Sequence, residues 1–193
     1  MKTAIFGGTF DPIHRAHLIV AREALRAFSL DRVLFIPAAH PPHKETGTAY
    51  EDRYRMVELA CADEPRFVPS RLEEGAATSY SILTIERVRA WPGVTPPLYF
   101  IIGADAFAEI RTWRRWEDVL ASIGFIVVAR PGHAYSIPRG ARVHPLETVA
   151  LPLSSSETRA ALNRGEVPVD LPDAVTAYIR EHGLYGLVSD RGR

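Results

Sequence analysis

Ile5-Phe6-Gly7-Gly8-Thr9-Phe10-Asp11-Pro12-Ile13-His14-Arg15-Ala16-His17 is the stretch that decides how this chain reads. An apolar strand runs into two glycines, a short loop follows, and two histidines stand three residues apart where a helix begins. Glycine lets backbone amides approach a ligand closely. A helix start adds N–H groups without intrahelical partners and the positive end of the dipole. Together they make an anion site, and phosphate is its usual occupant. Imidazoles at i and i+3 share one helix face, so His14 and His17 can both donate to phosphate oxygens there. The run is not Gly-x-Gly-x-x-Gly, and no Gly-x-x-x-x-Gly-Lys-Ser/Thr occurs, so the usual dinucleotide and P-loop fingerprints are absent.

Outward from this stretch, short apolar runs alternate with helical patterns. Strands are expected at Thr3–Phe6, Arg32–Pro37, Phe67–Pro69, Leu98–Ile102, Phe125–Ala129 and Thr148–Leu151. Tyr99-Phe100-Ile101-Ile102 is apolar throughout, as in a strand covered on both faces. Leu18, Ala21, Ala24, Leu25 and Phe28 repeat at helical spacing, as do Met56, Leu59 and Ala60, and then Ile82, Ile85 and Val88, the last group with Ser79 or Ser81 as a cap. Strands alternating with helices imply βαβ units and a parallel sheet with right-handed crossovers. Proline and glycine place loops at Pro37–Gly47, Trp91–Pro97 and Arg130–Pro145, the last a surface excursion. Ser154–Asn163 and Pro172–His182 read as two short helices, with Gly183 at the C′ position of the second.

Bulk properties narrow the function classes. A chain of 193 residues suits one domain, with about residues 1–150 as the sheet core and about 151–187 as a phosphate-binding, helical C-terminal part. Apolar residues at 47% and charged residues at 24% are ordinary for a soluble globular protein. The net charge is zero, so no global field draws nucleic acid, and any anionic ligand must be held locally. The lone Cys61 excludes an intrachain disulfide and a Cys-based zinc site, and its apolar spacing points to the core. No segment has the roughly 18 apolar residues that span a bilayer. Met1-Lys2-Thr3 enters the first strand at once, which leaves no signal peptide and points to the cytoplasm.

A second signature is Leu153-Ser154-Ser155-Ser156-Glu157-Thr158-Arg159. Hydroxyls and amides at a helix start can hold a polyphosphate, and Arg159 adds a planar, permanently charged fork. Taken alone, the segment reads equally as a Ser-capped helix with a solvated Arg. Gly-Gly-Thr-Phe-Asp-Pro-x-His-x-x-His resembles the nucleotidyltransferase superfamily with the His-x-Gly-His signature, Ala16 standing where that signature has Gly. The serine-rich segment is similar to that superfamily's motif for the β- and γ-phosphates of ATP. Further pieces narrow the likeness: Pro41-Pro42-His43-Lys44, Ser79-Tyr80-Ser81, Ile102-Gly103-Ala104-Asp105 with Trp113 eight residues on, Ala129-Arg130-Pro131-Gly132, and Gly183-Leu184-Tyr185. In this order the chain looks like the bacterial nicotinate-nucleotide adenylyltransferases over roughly residues 3–186.

That resemblance implies an α/β fold: a Rossmann-like doubly wound parallel sheet with helices on both faces and a small C-terminal helical extension. It implies adenylyl transfer from ATP to nicotinate mononucleotide, giving nicotinate adenine dinucleotide and pyrophosphate in NAD biosynthesis, with Mg²⁺ accompanying ATP. Gly7, Gly8, Thr9, Phe10, His14, His17, Ser154, Ser155, Ser156 and Arg159 would then meet ATP phosphates. Of these, His14, His17 and Arg159 would carry the catalysis, and Gly103 and Asp105 would hold the adenosine ribose. His43, Lys44, Ser81, Trp113, Arg114 and Arg130 would form the acceptor side, with Trp113 stacking on the pyridine ring. Nucleic acid and membrane partners are not expected, and both monomer and homo-oligomer stay open. The competing readings are a related enzyme for nicotinamide mononucleotide or phosphopantetheine, and a non-catalytic nucleotide-sensing module.

Overall fold

In the computed structural model, residues 1–42, 46–129, 134–147 and 154–187 are described. Among the described residues six strands form one sheet: β1 (Thr3–Gly8), β2 (Arg32–Pro37), β3 (Phe67–Pro69), β4 (Leu98–Gly103), β5 (Gly124–Ala129) and β6 (Arg142–Glu147). Their order is β3-β2-β1-β4-β5-β6, and every neighbouring pair is parallel. Seven α-helices are present among the described residues: α1 (Arg15–Ala27), α2 (Tyr50–Cys61), α3 (Ser81–Arg89), α4 (Ala104–Ala108), α5 (Trp116–Ser122), α6 (Ser155–Asn163) and α7 (Asp173–Glu181).

The strands alternate their side chains between two apolar layers, which is why they read as unbroken apolar runs. Ala4, Val33, Phe35, Tyr99, Ile101 and Ile126 share one layer with Ala21 and Leu25 of α1, Met56 and Val57 of α2, and Val175 and Ile179 of α7. Ile5, Leu34, Ile36, Phe100, Ile102 and Phe125 share the other with Ile82 and Ile85 of α3, Phe107 of α4 and Val119 of α5. This is the doubly wound arrangement, and the order of strands reverses between β1 and β4. Ligands in such sheets bind outside the carboxyl ends of the strands at that reversal. The register shows how the crevice opens. β1 pairs with β4 only over Thr3↔Leu98, Ala4↔Tyr99 and Ile5↔Phe100. Beyond that, β1 stays paired to β2 as far as Gly8, and β4 to β5 as far as Gly103. The last residues of the two central strands therefore part from each other.

One strand differs from expectation. β6 lies within Arg130–Pro145 and just beyond it, the segment read as a surface excursion, while the expected strand at Thr148–Leu151 lies outside the described residues. β6 is an edge strand on which only Leu146 is fully buried. It contains Pro145, which an edge tolerates because one side of the strand makes no ladder bonds. It therefore lacks the apolar run that marks the inner strands. Cys61 is buried, as its spacing suggests, and burial pushes its thiol up to about 12, far from a nucleophile's range. Among the described residues no helix is long and apolar enough to cross a membrane.

Candidate functional site

The parted ends of β1 and β4 open into a cleft of about 510 Å³. Gly7, Gly8 and Thr9 form its β1 side, Gly103 its β4 side, and Ser81, Trp113 and Arg114 its far wall. The glycines are needed for space, because neither Gly7 nor Gly8 has a positive φ. A Cβ on Gly8 would come within 3.0 Å of the Phe10 ring, and one on Gly7 within 3.3 Å of Phe100. Gly103 differs: a Cβ there meets nothing within 4 Å, so its backbone faces open space.

The far wall is built on the start of α3. Its first amides have no intrahelical carbonyl to bond, and Tyr80, the residue at the cap, supplies no side-chain hydrogen bond to them. Neither serine expected to cap this helix does so. Ser81 is its first residue, and the Ser79 hydroxyl accepts from the His40 amide at 3.1 Å instead. The Arg114 guanidinium lies 4.7 Å from the Tyr80 ring centre, so a positive charge stands beside the uncapped helix start. Trp113 is half-buried, meeting Phe100 edge-on at 5.9 Å. An anionic group on a flat ring suits this wall: ring against Trp113, anion towards amides and guanidinium.

The second group gathers where α6 meets the loop before α1. Arg159 donates to the Asp11 carbonyl at 2.6 Å and to Ser156 Oγ at 3.2 Å, and the Ser155 hydroxyl donates to the Pro12 carbonyl at 3.1 Å. The two signatures, more than 140 residues apart in sequence, are thus tied together directly. Ser154 is the α6 cap: its hydroxyl accepts from the Glu157 amide, and its own amide donates back to the Glu157 carboxylate. The plain reading of a Ser-capped helix holds for Ser154, while Arg159 is tethered and half-buried, not solvated.

His14 stands at the cap position of α1 and His17 sits in its first turn. Their rings lie 3.8 Å apart, and His17 Nδ1 accepts from the His14 amide at 3.2 Å. A neutral His17 therefore carries its proton on Nε2 and offers it as a donor. Burial lowers His14 to about 4, against the raising effect of the Asp170 charge. Burial lowers His17 well below 6.5, and the His14 charge lowers it further. At neutral pH both imidazoles are uncharged donors. Phe10, buried and at φ 50°, supports His17 edge-on at 5.2 Å. The start of α1 is less open than expected, since the Arg15 amide bonds the Asp170 carbonyl at 2.7 Å. Asp105 lies inside the first turn of the short α4, whose cap is Gly103, so Asp105 is not itself the cap.

Three expected residues, His43, Lys44 and Arg130, lie outside the described residues. Two residues that the sequence reading passed over also belong here. Arg53 of α2 is fully buried behind the loops, and Glu73 lines the cleft with one carboxylate oxygen bonded to Thr84 and the other without a partner among the described residues. Tyr185, near the C-terminus, donates to Asp11 Oδ1 at 2.6 Å and tethers the loop. Among the described residues no three His, Cys, Asp or Glu side chains cluster to hold a metal.

Comparison with known proteins agrees with this geometry. Residues 5–161 match the cytidylyltransferase-like family. A probable nicotinate-nucleotide adenylyltransferase of Solibacter usitatus is 62% identical over 187 residues, covering 96% of this chain and all of the relative. One from Thermus thermophilus is 42% identical over 191 residues, with 96% and 100% coverage. Among solved structures, Plasmodium falciparum nicotinic acid mononucleotide adenylyltransferase complexed with NaAD superposes with a TM-score of 0.79, covering 97% of this chain and 98% of that one. At 20% identity that likeness speaks for the fold alone. Across nearly its whole length, the chain belongs to the nicotinate-nucleotide adenylyltransferases of the cytidylyltransferase-like family.

Proposed function

We propose that this protein transfers the adenylyl group of ATP to nicotinate mononucleotide, releasing pyrophosphate and nicotinate adenine dinucleotide. The observation that carries this is the cleft between β1 and β4. One wall suits an anionic flat ring, and a phosphate-type cluster of His14, His17 and Arg159 stands beside the loop that continues its other side. Relatives that cover 96% of the chain bear the name of this activity.

The acceptor phosphate is the nucleophile. Its second pKa is about 6, so at neutral pH it is already anionic and needs no general base. One of its oxygens forms a bond to the ATP α-phosphorus, the bond from that phosphorus to the bridging oxygen breaks, and pyrophosphate leaves with the electron pair. The obstacle is repulsion between two polyanions. In this reading the Gly7-Gly8-Thr9 backbone lies along the ATP phosphates. His17, its Nε2 proton fixed by the bond at Nδ1, and His14 donate to oxygens on which charge grows. Arg159 supplies the fixed positive charge for the β,γ end, with the amides of Ser155 and Ser156 beside it. Gly103 and Asp105 hold the adenosine ribose. Trp113 covers the pyridine ring, while amides near Ser81 and the Arg114 charge take the carboxylate. His43, Lys44 and Arg130 keep their proposed place on the acceptor side. Mg²⁺ brought in with ATP would offset phosphate charge, and it would need no cage of protein carboxylates. One domain carries the whole reaction, a reading supported by the bonds from α6 and Tyr185 back to the loop before α1. We place it in the cytoplasm.

Pyrophosphate release from ATP, with nicotinate mononucleotide, nicotinamide mononucleotide or phosphopantetheine as acceptor, tests the reading. Release with nicotinate mononucleotide well above the other two supports it. Release only with another acceptor points to a sister transferase, and release with none to a nucleotide-sensing module.

A further inference from the structure

Arg53 is the largest fully buried side chain among the described residues. A buried guanidinium normally faces a carboxylate. This one is bonded to three backbone carbonyls on two separate loops: Nη1 to Thr9 at 2.7 Å, Nε to Thr48 at 3.2 Å and Nη2 to Ala39 at 3.4 Å. Its face lies 5.6 Å from the Tyr50 ring centre. Burial lowers its pKa, while the charges of Asp11, Tyr185, Tyr50 and Glu73 act in the opposite direction. Among the described residues its hydrogen bonds go to backbone, to the carbonyls of Thr9, Ala39 and Thr48.

The three carbonyls mark the two substrate-facing loops. Thr9 follows β1 and lines the phosphate side. Ala39 follows β2, just before Pro41 and Pro42 of the cleft wall, and Thr48 closes that same loop where it enters α2. A guanidinium is planar and rigid, with donors at fixed angles. Anchored on a helix and bonded to both loops at once, it sets their separation. We infer that Arg53 is a positioning residue that holds the ATP-side loop and the acceptor-side loop in one register, so that the acceptor phosphate and the α-phosphorus meet in line. The inference rests on the adenylyl-transfer reading given above. It separates binding from reaction, because each loop can hold its own ligand while their mutual placement is lost. A misplacement of about 1 Å costs on the order of 10²-fold in rate.

The test uses Arg53→Lys, which keeps the charge but cannot reach three carbonyls. Isothermal titration with α,β-methylene-ATP alone and with nicotinate mononucleotide alone should give Kd values within about threefold of wild type. Under saturating substrates, kcat should fall about a hundredfold. A kcat close to wild type overturns the inference, and so does a kcat loss matched by an equal loss of affinity for either ligand alone, the mark of local structural damage. A second measurement needs no variant. In wild-type protein labelled with ¹⁵N-arginine, the Arg53 Nε–H resonance should shift when either ligand is added alone. A shift with only one ligand, or with neither, overturns the inference even if Arg53→Lys does not fold. Wild-type turnover separates the two claims: an inactive wild type refutes the adenylyl-transfer reading, whereas an active wild type beside an equally active Arg53→Lys refutes only the role of Arg53.

Discussion

Replacing His14 by Gln should flatten the acid sensitivity of the ligand-free fold. His14 is 4% exposed, its Nδ1 has no partner among the described residues, and burial lowers its pKa from 6.5 to about 4. The folded pKa thus lies below the unfolded one, so the unfolded chain takes up the proton first as pH falls. The stability tied to neutral His14 is complete above pH 6.5 and is lost between 6.5 and 4. Each pH unit in that window corresponds to about 1.4 kcal/mol for one proton. The whole interval is worth about 3 kcal/mol, and the part between pH 7 and 4.5 about 2 kcal/mol. Gln fills similar space and does not titrate. Urea unfolding of both proteins at pH 7 and pH 4.5 measures the effect, and taking the difference between them cancels the carboxylates they share. The wild type should lose about 2 kcal/mol more than the variant on acidification. Parallel losses would refute the claim that the folded site keeps His14 neutral, and with it the picture of uncharged imidazole donors at neutral pH.

Three further outcomes follow from the site. His17→Ala should retain the fold and cut kcat by about 10² to 10³, the scale for losing one transition-state donor; steady-state turnover near wild type would remove His17 from the mechanism. Arg159→Ala loses the bond to the Asp11 carbonyl and the charge proposed for the β,γ end, so titration calorimetry should show ATP affinity falling more than mononucleotide affinity, and the reverse order would place Arg159 in the other pocket. Trp113→Ala should lower kcat/KM for nicotinate and nicotinamide mononucleotides alike, because ring stacking serves both. The wild-type preference for nicotinate, about 10⁴ for a site that reads hydrogen-bonding groups, should persist in the variant, and its collapse would show that Trp113 orients the ring for discrimination.

The inner sheet was legible because its strands are covered on both faces. Leu34 and Ile101 must both be apolar, and no alternation interrupts the runs around them. β6 was not legible, since an edge strand with Arg142, His144 and Pro145 carries little apolar pattern. The two runs proposed for the phosphate side, Gly7–His17 and Ser154–Arg159, stood out because each is contiguous, and the structure brings them together. Arg53 did not. It lies among Glu51, Asp52, Tyr54 and Arg55, a stretch that looks solvated, and its partners are backbone carbonyls 5, 14 and 44 residues away. Side-chain patterns carry no trace of such bonds. Ser79 shows the converse: a hydroxyl just before a helix suggests a cap, yet here it is taken by the His40 amide.

The most direct test of the account follows the α-phosphorus of ATP. Purified protein is incubated with ATP labelled at that phosphorus, nicotinate mononucleotide and Mg²⁺, and the products are separated. Direct attack by the acceptor phosphate predicts that all transferred label appears in nicotinate adenine dinucleotide, with one unlabelled pyrophosphate released per dinucleotide and no label on the protein at any time. Label in free AMP without dinucleotide, label bound covalently to the protein, or label left entirely in ATP would contradict it.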